Sequence, residues 1–251
     1  MPIFKSILWF LKAMLSSDYV YRDNPIMMGF DGKKVTKYYT DFNHENRLRV
    51  IHADSVFDVT MDDGDTVRVI VPSNCEEYIK VKINCNTIWV TMDNTSLNVK
   101  FELDKVSKTK GDFRVILPKK YCAITSVYLS GAASFEGDIE TPQLNINMKG
   151  ASDFEGEINA HDVFIDCSGA SSVDISGSCK QVQAFLSGSS DVDAEYFTAE
   201  YGTLKLSGSS DCRIKITDSV KCNCTGSSDC TIYGHPNKHD ITTSGAAECK
   251  H

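Results

Sequence analysis

Carboxylates return at a nearly fixed interval in the second half of this 251-residue chain: Asp153, Asp191, Asp211, Asp229 and Glu248 stand 38, 20, 18 and 19 residues apart. Ser134 and Ser172 hold the equivalent place where an acid is missing, and Ser190, Ser210 and Ser228 directly precede three of the acids. If each interval is one layer of a stacked fold, neighbouring carboxylates come within about 5 Å and repel by roughly 0.8 kcal/mol in water, several-fold more once desolvated. Such a row is either solvated or holds a cation. Weak calcium binding is the one cofactor it suggests, although the GGxGxDxUx signature of calcium-binding β-rolls is absent. A polysaccharide lyase would also want carboxylates around calcium, with a base to abstract a proton. Arg213 and Lys215 are the only obvious basic residues beside the row. No other cofactor, metal site or catalytic residue is expected.

His235 and His239, with Cys249 and His251 nearby, are metal-ligating types, but Pro236 breaks any helix that would align the pair. The Gly-x-Ser-x-Gly, P-loop and Rossmann patterns are missing. Asn94-Thr95-Ser96 spells a glycosylation sequon, which has meaning only in a eukaryotic secretory setting. Ten cysteines would suit a disulfide framework, yet Cys167, Cys212, Cys224, Cys230 and Cys249 fall on periodic rows where other repeats carry Leu, Phe or Val. They read as small reduced core side chains in a reducing or anoxic environment, with a bridge among stacked Cys212, Cys230 and Cys249 as the alternative.

The elements that must hold the acid row are set by a repeat. The phrase apolar–Ser–Gly–(Ala/Ser)–(Ala/Ser)–(Asp/Ser)–apolar is anchored on Gly131, Gly150, Gly169, Gly188, Gly208, Gly226 and Gly245, with steps of 19, 19, 19, 20, 18 and 19 residues. Nineteen residues are too few for two-helix repeats, and the Leu/Asn spacing of leucine-rich repeats is missing. Ser-Gly-Ser-Ser-Asp is a poor helix former, and its flanks alternate apolar with polar. Two residues before the glycines stand Leu129, Met148, Cys167, Leu186, Leu206 and Cys224; four after them stand Phe135, Phe154, Val173, Val192, Cys212, Cys230 and Cys249. A third apolar cluster follows near thirteen and fifteen, such as Leu144/Ile146 and Val163/Ile165, shifted to Val220 in the 18-residue coil. The fold is therefore all-β: a parallel β-helix of about seven 19-residue coils, with three short strands per turn and a tight glycine corner. Serines one before and two after each glycine are placed to hydrogen-bond along the stack.

Net charge −8, with lysines and arginines unclustered, excludes nucleic acid and anionic membrane surfaces as partners. Residues 1–17 are apolar with Lys5 and Lys12. They read equally as a degenerate export signal or anchor and as a docked amphipathic helix, being too short to span a bilayer. Residues 18–45 read as an irregular lead-in. Residues 46–127 read as hairpins capping the solenoid, one pairing 47–60 with 66–71 around Asp62–Asp65 and one pairing 78–83 with 87–92 around Asn84–Asn86. The β-helix proper is 128–251. Thr242, Thr243, Lys250 and His251 lend modest polarity to its last coil.

From about residue 49 onward the chain resembles the bacterial head-GIN domain family (DUF2807), described as auto-transporter adhesins. The resemblance rests on Val56-Phe57-Asp58-Val59-Thr60-Met61-Asp62-Asp63-Gly64-Asp65, the strand ending in Leu117-Pro118, the repeated Leu-Ser-Gly-Ser-Ser-Asp, and Ile232-Tyr233-Gly234-His235-Pro236. It implies a right-handed β-helix like the pectin-lyase folds without catalytic residues. It also implies an adhesion role at the cell surface or in the periplasm of Bacteroidota-type cells, with an export signal at the N-terminus.

Three functions follow as expectations. The first is a non-enzymatic adhesin-like envelope protein that presents a Ser/Asp surface (Asp153, Ser190, Asp191, Ser210, Asp211, Ser228, Asp229, Glu248) to a glycan or protein. The second is a cytosolic β-helix that self-assembles as bactofilins do, oligomeric and structural. The third is a polysaccharide lyase-like enzyme.

Overall fold

The computed structural model describes residues 33–40, 47–92 and 113–251. Residues 1–17 and the sequon at 94–96 lie outside the described residues. In the N-terminal part the strands are β1 (Lys34–Tyr39), β2 (Leu48–Ala53), β3 (Asp58–Asp62), β4 (Val67–Pro72), β5 (Ile79–Asn84), β6 (Thr87–Met92) and β7 (Arg114–Pro118). The solenoid follows as β8 (Cys122–Leu129), β9 (Ser134–Glu136), β10 (Ile139–Gly150), β11 (Asp153–Gly169), β12 (Ser172–Leu186), β13 (Asp191–Leu206), β14 (Asp211–Gly226), β15 (Asp229–Tyr233), β16 (Lys238–Gly245) and β17 (Glu248–Lys250). It is a parallel β-solenoid of about seven turns.

Each coil pairs in parallel with the next, so the sequence period becomes a spatial register. Gly150 faces Gly169, Phe154 faces Val173, Val192 faces Cys212 and Cys212 faces Cys230. The expected three short strands per turn are not separate. Strands of up to 17 residues run from one glycine corner to the next, because ladder hydrogen bonds continue around the bends. The two coils of unusual length keep their corners aligned. Their extra and missing residues are absorbed by irregular pairing between Asp174 and Gly177 and between Ala194 and Tyr201.

The inward rows make one continuous dry core. Leu129, Met148, Cys167, Leu186, Leu206 and Cys224 are buried, as are Phe135, Phe154, Val173, Val192, Cys212 and Cys230 across the corner. Phe135 and Phe154 stack at 5.0 Å. Each such side chain contributes roughly 1.5–3 kcal/mol by leaving water.

The N-terminal part departs from the expected layout in three ways. The lead-in is not wholly irregular, since β1 pairs antiparallel with β4. The first expected hairpin does not form. Instead β2 and β3 lie parallel to β8 and β9 and make an additional coil beneath Gly131. Its corner is Asp54-Ser55, and Ser55 takes the left-handed φ of 73° that glycine takes in the other coils. The third departure is order: β6 and β7 stack on the far side of β2 and β3, so the chain first passes beneath this coil and then climbs past it to β8 and β9. The second expected hairpin, β5–β6, pairs as read, Asn84 opposite Thr87.

Candidate functional site

The glycine corner positions everything on the outer surface. At Gly188 φ is 81°, and an added Cβ would sit 2.6 Å from the carbonyl oxygen of Gly169 in the coil below. The left-handed backbone lets Ser189 N–H donate to that same carbonyl at 2.7 Å, and the bond recurs from corner to corner. The two serine rows divide the remaining work. Ser187, Ser207 and Thr225 donate to carbonyls of the coil below, at Cys167, Leu186 and Leu206. Ser190, Ser210 and Ser228 turn inward, are fully buried, and donate to Ser187, Ser207 and Thr225 of their own coil.

That geometry corrects the expected contact surface. Ser190, Ser210 and Ser228 brace the turn and do not reach the surface, because they are fully buried with their hydroxyls spent on the carbonyls three residues back. The acids do point outward. Asp191, Asp211, Asp229 and Glu248 are exposed and lie opposite one another in consecutive coils, while Asp153 is half-buried between Ser134 and Ser172. Burial, then the neighbouring charge of Asp211, raises the Asp191 carboxyl above its ordinary value. A second acid row, unread from sequence, runs two residues further on through Glu136, Glu155, Asp174 and Asp193, and ends on Arg213, which donates to Asp193 at 2.7 Å.

On the other side of the corner the outward row is different in kind. It runs through Trp89, His52, Tyr128, Asn147, Asp166, Phe185, Lys205, Asn223 and Thr242, each opposite the next. His52 lies stacked between Tyr128 at 4.4 Å and Trp89 at 5.6 Å. Burial lowers the His52 pKa. Phe185 meets Phe164 edge-on at 5.3 Å and carries the Lys205 ammonium 5.1 Å from its ring centre. A shallow groove of about 280 Å³ lies along these residues, lined also by Asp166, Ser187, Ser207 and Asn223. A second hollow of about 350 Å³ on the same side is bounded by Gln181, Tyr201, Thr203, Lys221 and Asp240. Sequence reading missed this row, since its residue types change from coil to coil and half of its rings come from the non-repeating N-terminal part.

Among the described residues the histidines fall in no group of metal-ligating side chains. His239 and His251 sit 4.6 Å apart on the exposed last coil, and neither joins the sulfur cluster to which Cys249 belongs. That cluster is Cys222, Cys224, Cys230 and Cys249, whose sulfurs all lie within 4.8 Å of one another. Cys222 was the unread member; it is two residues before Cys224 on the same strand, and period two puts both on the inner face. Hydrogen bonding with Cys222 lowers the Cys224 and Cys249 thiols, while hydrogen bonding with Cys224 raises Cys222 and hydrogen bonding with Cys212 raises Cys230; Cys167 and Cys179 are pushed up to about 12 by burial.

The fold has counterparts among solved structures. A "putative adhesin" from Bacteroides fragilis NCTC 9343 matches over 90% of this chain and 99% of its own, with TM-score 0.73 at 17% identity. A "putative adhesin" from Parabacteroides merdae ATCC 43184 matches over 89% and 98%, with TM-score 0.64 at 16% identity. A "putative lipid binding protein" from Parabacteroides distasonis ATCC 8503 matches over 89% and 99%, with TM-score 0.59 at 13% identity. At these identities the likeness is one of fold. No curated protein matches the sequence. Residues 48–236, from the additional coil through the sixth glycine corner, match the family described as "Putative auto-transporter adhesin, head GIN domain", and the chain belongs to that family.

Proposed function

We propose that this chain is a non-enzymatic, adhesin-like binding protein of the bacterial cell envelope. Its ligand is a glycan laid along the ring- and amide-bearing side of the solenoid. The observation that carries the reading is the in-register outward row from Trp89 to Asn223, with its groove beside Phe185 and Lys205. Rings, an ammonium, a carboxylate and amides in one line offer apolar faces and hydrogen-bonding groups together, which is what a sugar chain needs. The hollows are open and no larger than the low end of the roughly 300–1,000 Å³ typical of enclosed small-molecule sites, so an extended ligand suits them better. Membership of an adhesin family points to the cell surface or envelope, and protease shaving of intact cells should remove the protein.

A second reading has its own observation. The two parallel carboxylate rows, Asp191–Glu248 and Glu136–Asp193, form a strongly acidic strip suited to a basic protein partner or to a cation-bridged ligand. The experiment that separates them is a glycan array with the purified protein, with and without calcium, read beside ultraviolet detection of unsaturated sugar products. Calcium-independent glycan capture without turnover supports the proposal. Capture only with calcium transfers the site to the carboxylates, and product formation would return the lyase.

A further inference from the structure

We propose that the last two coils of the solenoid hold a structural metal site: a single zinc-type ion bound by the four sulfurs of Cys222, Cys224, Cys230 and Cys249. The motif is Cys-x-Cys-x5-Cys-x18-Cys, and the fold converts this loose spacing into a compact group. Cys222 and Cys224 project inward from β14 on one side of the Gly226 corner; Cys230 projects inward from β15 on the other side; Cys249 lies directly opposite Cys230 in the next coil. The corner folds the two strands over one another, so the four sulfurs face a common centre.

The spacing is that of one ion. Zinc–thiolate bonds of about 2.3 Å in a tetrahedron put sulfurs about 3.8 Å apart. Here Cys222 and Cys224 are 3.4 Å apart, Cys222 and Cys249 are 3.9 Å apart, and no pair exceeds 4.8 Å. An all-sulfur tetrahedral set selects zinc over hard cations, because thiolates are soft ligands. Every position is closed by protein, as in a structural rather than a catalytic site. Most earlier coils carry Phe135, Phe154, Val173 or Val192 at the places of Cys230 and Cys249, and Leu or Met at the place of Cys224; Cys212 and Cys167 are the exceptions. Isolated in earlier coils, sulfur gathers into a group of four where the core thins: Cys249 is half-buried and the flanking β16 is largely exposed. An ion entering there would tie the sixth and seventh corners together and release the protons of the thiols it binds.

The test uses the full chain, purified under reducing and anaerobic conditions, titrated with Co²⁺ and then Zn²⁺. One equivalent of cobalt should produce thiolate-to-metal charge-transfer bands and the strong far-red bands of tetrahedral thiolate coordination, and zinc should bleach them. Zinc should also raise Tm, a chelator should reverse the rise, and native mass spectrometry should show one zinc per chain that the chelator removes. Cys249→Ser, at the half-buried end where folding tolerates change, should shift and weaken the bands and lower cobalt affinity at least about tenfold. The exposed Cys85→Ser should leave them intact. Protein that is folded by circular dichroism but shows no such bands, bands that survive Cys249→Ser unchanged, or a disulfide among these sulfurs after reducing purification would each overturn the site.

Discussion

The two sides of the glycine corner share one backbone and one register, yet they carry opposite chemistry. Before the corner, successive coils line up rings, amides and Lys205; after it, they line up carboxylates in two rows. The first side tolerates variation from coil to coil, because each residue touches its neighbour through a different contact: a stacked His52, an edge-on Phe164, a cation over Phe185. The second repeats one residue type and accumulates charge. A solenoid thus fixes where side chains stand and leaves what they are to each coil, so function has to be sought row by row.

The sharpest way to break both sides at once is to break the corner they share. Gly188→Val imposes a left-handed φ on a β-branched residue and drives its Cβ into the Gly169 carbonyl. It should cost at least about 3 kcal/mol, read as a lower denaturation midpoint, and remove every ligand interaction with it.

Next in size are changes that separate the sides. Phe185→Ala and Lys205→Ala should each weaken glycan binding roughly tenfold to a hundredfold; exposed Lys205→Ala should leave Tm nearly unchanged, and half-buried Phe185→Ala, which loses the Phe164 contact, should lower it modestly. Smaller effects should appear with pH, in opposite directions. Burial depresses the His52 pKa, so its contribution to stability is present above the ordinary histidine value of about 6.5 and is lost as pH falls below it. His52→Phe should keep the ring stack and abolish that acid-side loss. The Asp191 carboxyl is raised, so its contribution is present below the ordinary value of about 3.9 and is lost as pH rises through the raised one. Asp191→Asn should therefore raise Tm near pH 7, with the gain vanishing towards about pH 4. The smallest change is Arg213→Ala, which removes an exposed ion pair with Asp193 and should cost under about 1 kcal/mol in urea melts.

The same contrast explains what could be read before the structure. The seven corners, the inward Leu/Phe/Val/Cys rows and the acid row all repeat with the coil, and repetition is visible in a sequence. The Ser55 corner does not carry glycine, so the additional coil was hidden inside an apparent hairpin. Ser190, Ser210 and Ser228 looked like surface because they are polar; three-residue backbonds in a tight turn hold them inside. His52 and Trp89 join the ring row only because the chain passes beneath the N-terminal coil, a topology that no local pattern encodes. Cys222 escaped because a core cysteine and a ligand look alike until their distances are known.

The most direct test of the central claim is a calorimetric titration of a captured glycan into two double variants, each verified to be folded at the titration temperature. Phe185→Ala with Lys205→Ala removes one side, and Asp211→Asn with Asp229→Asn neutralises the other. Loss of binding in the first pair, with wild-type affinity in the second, is the predicted result. Loss in the second pair alone would put the contact on the carboxylates and contradict the assignment.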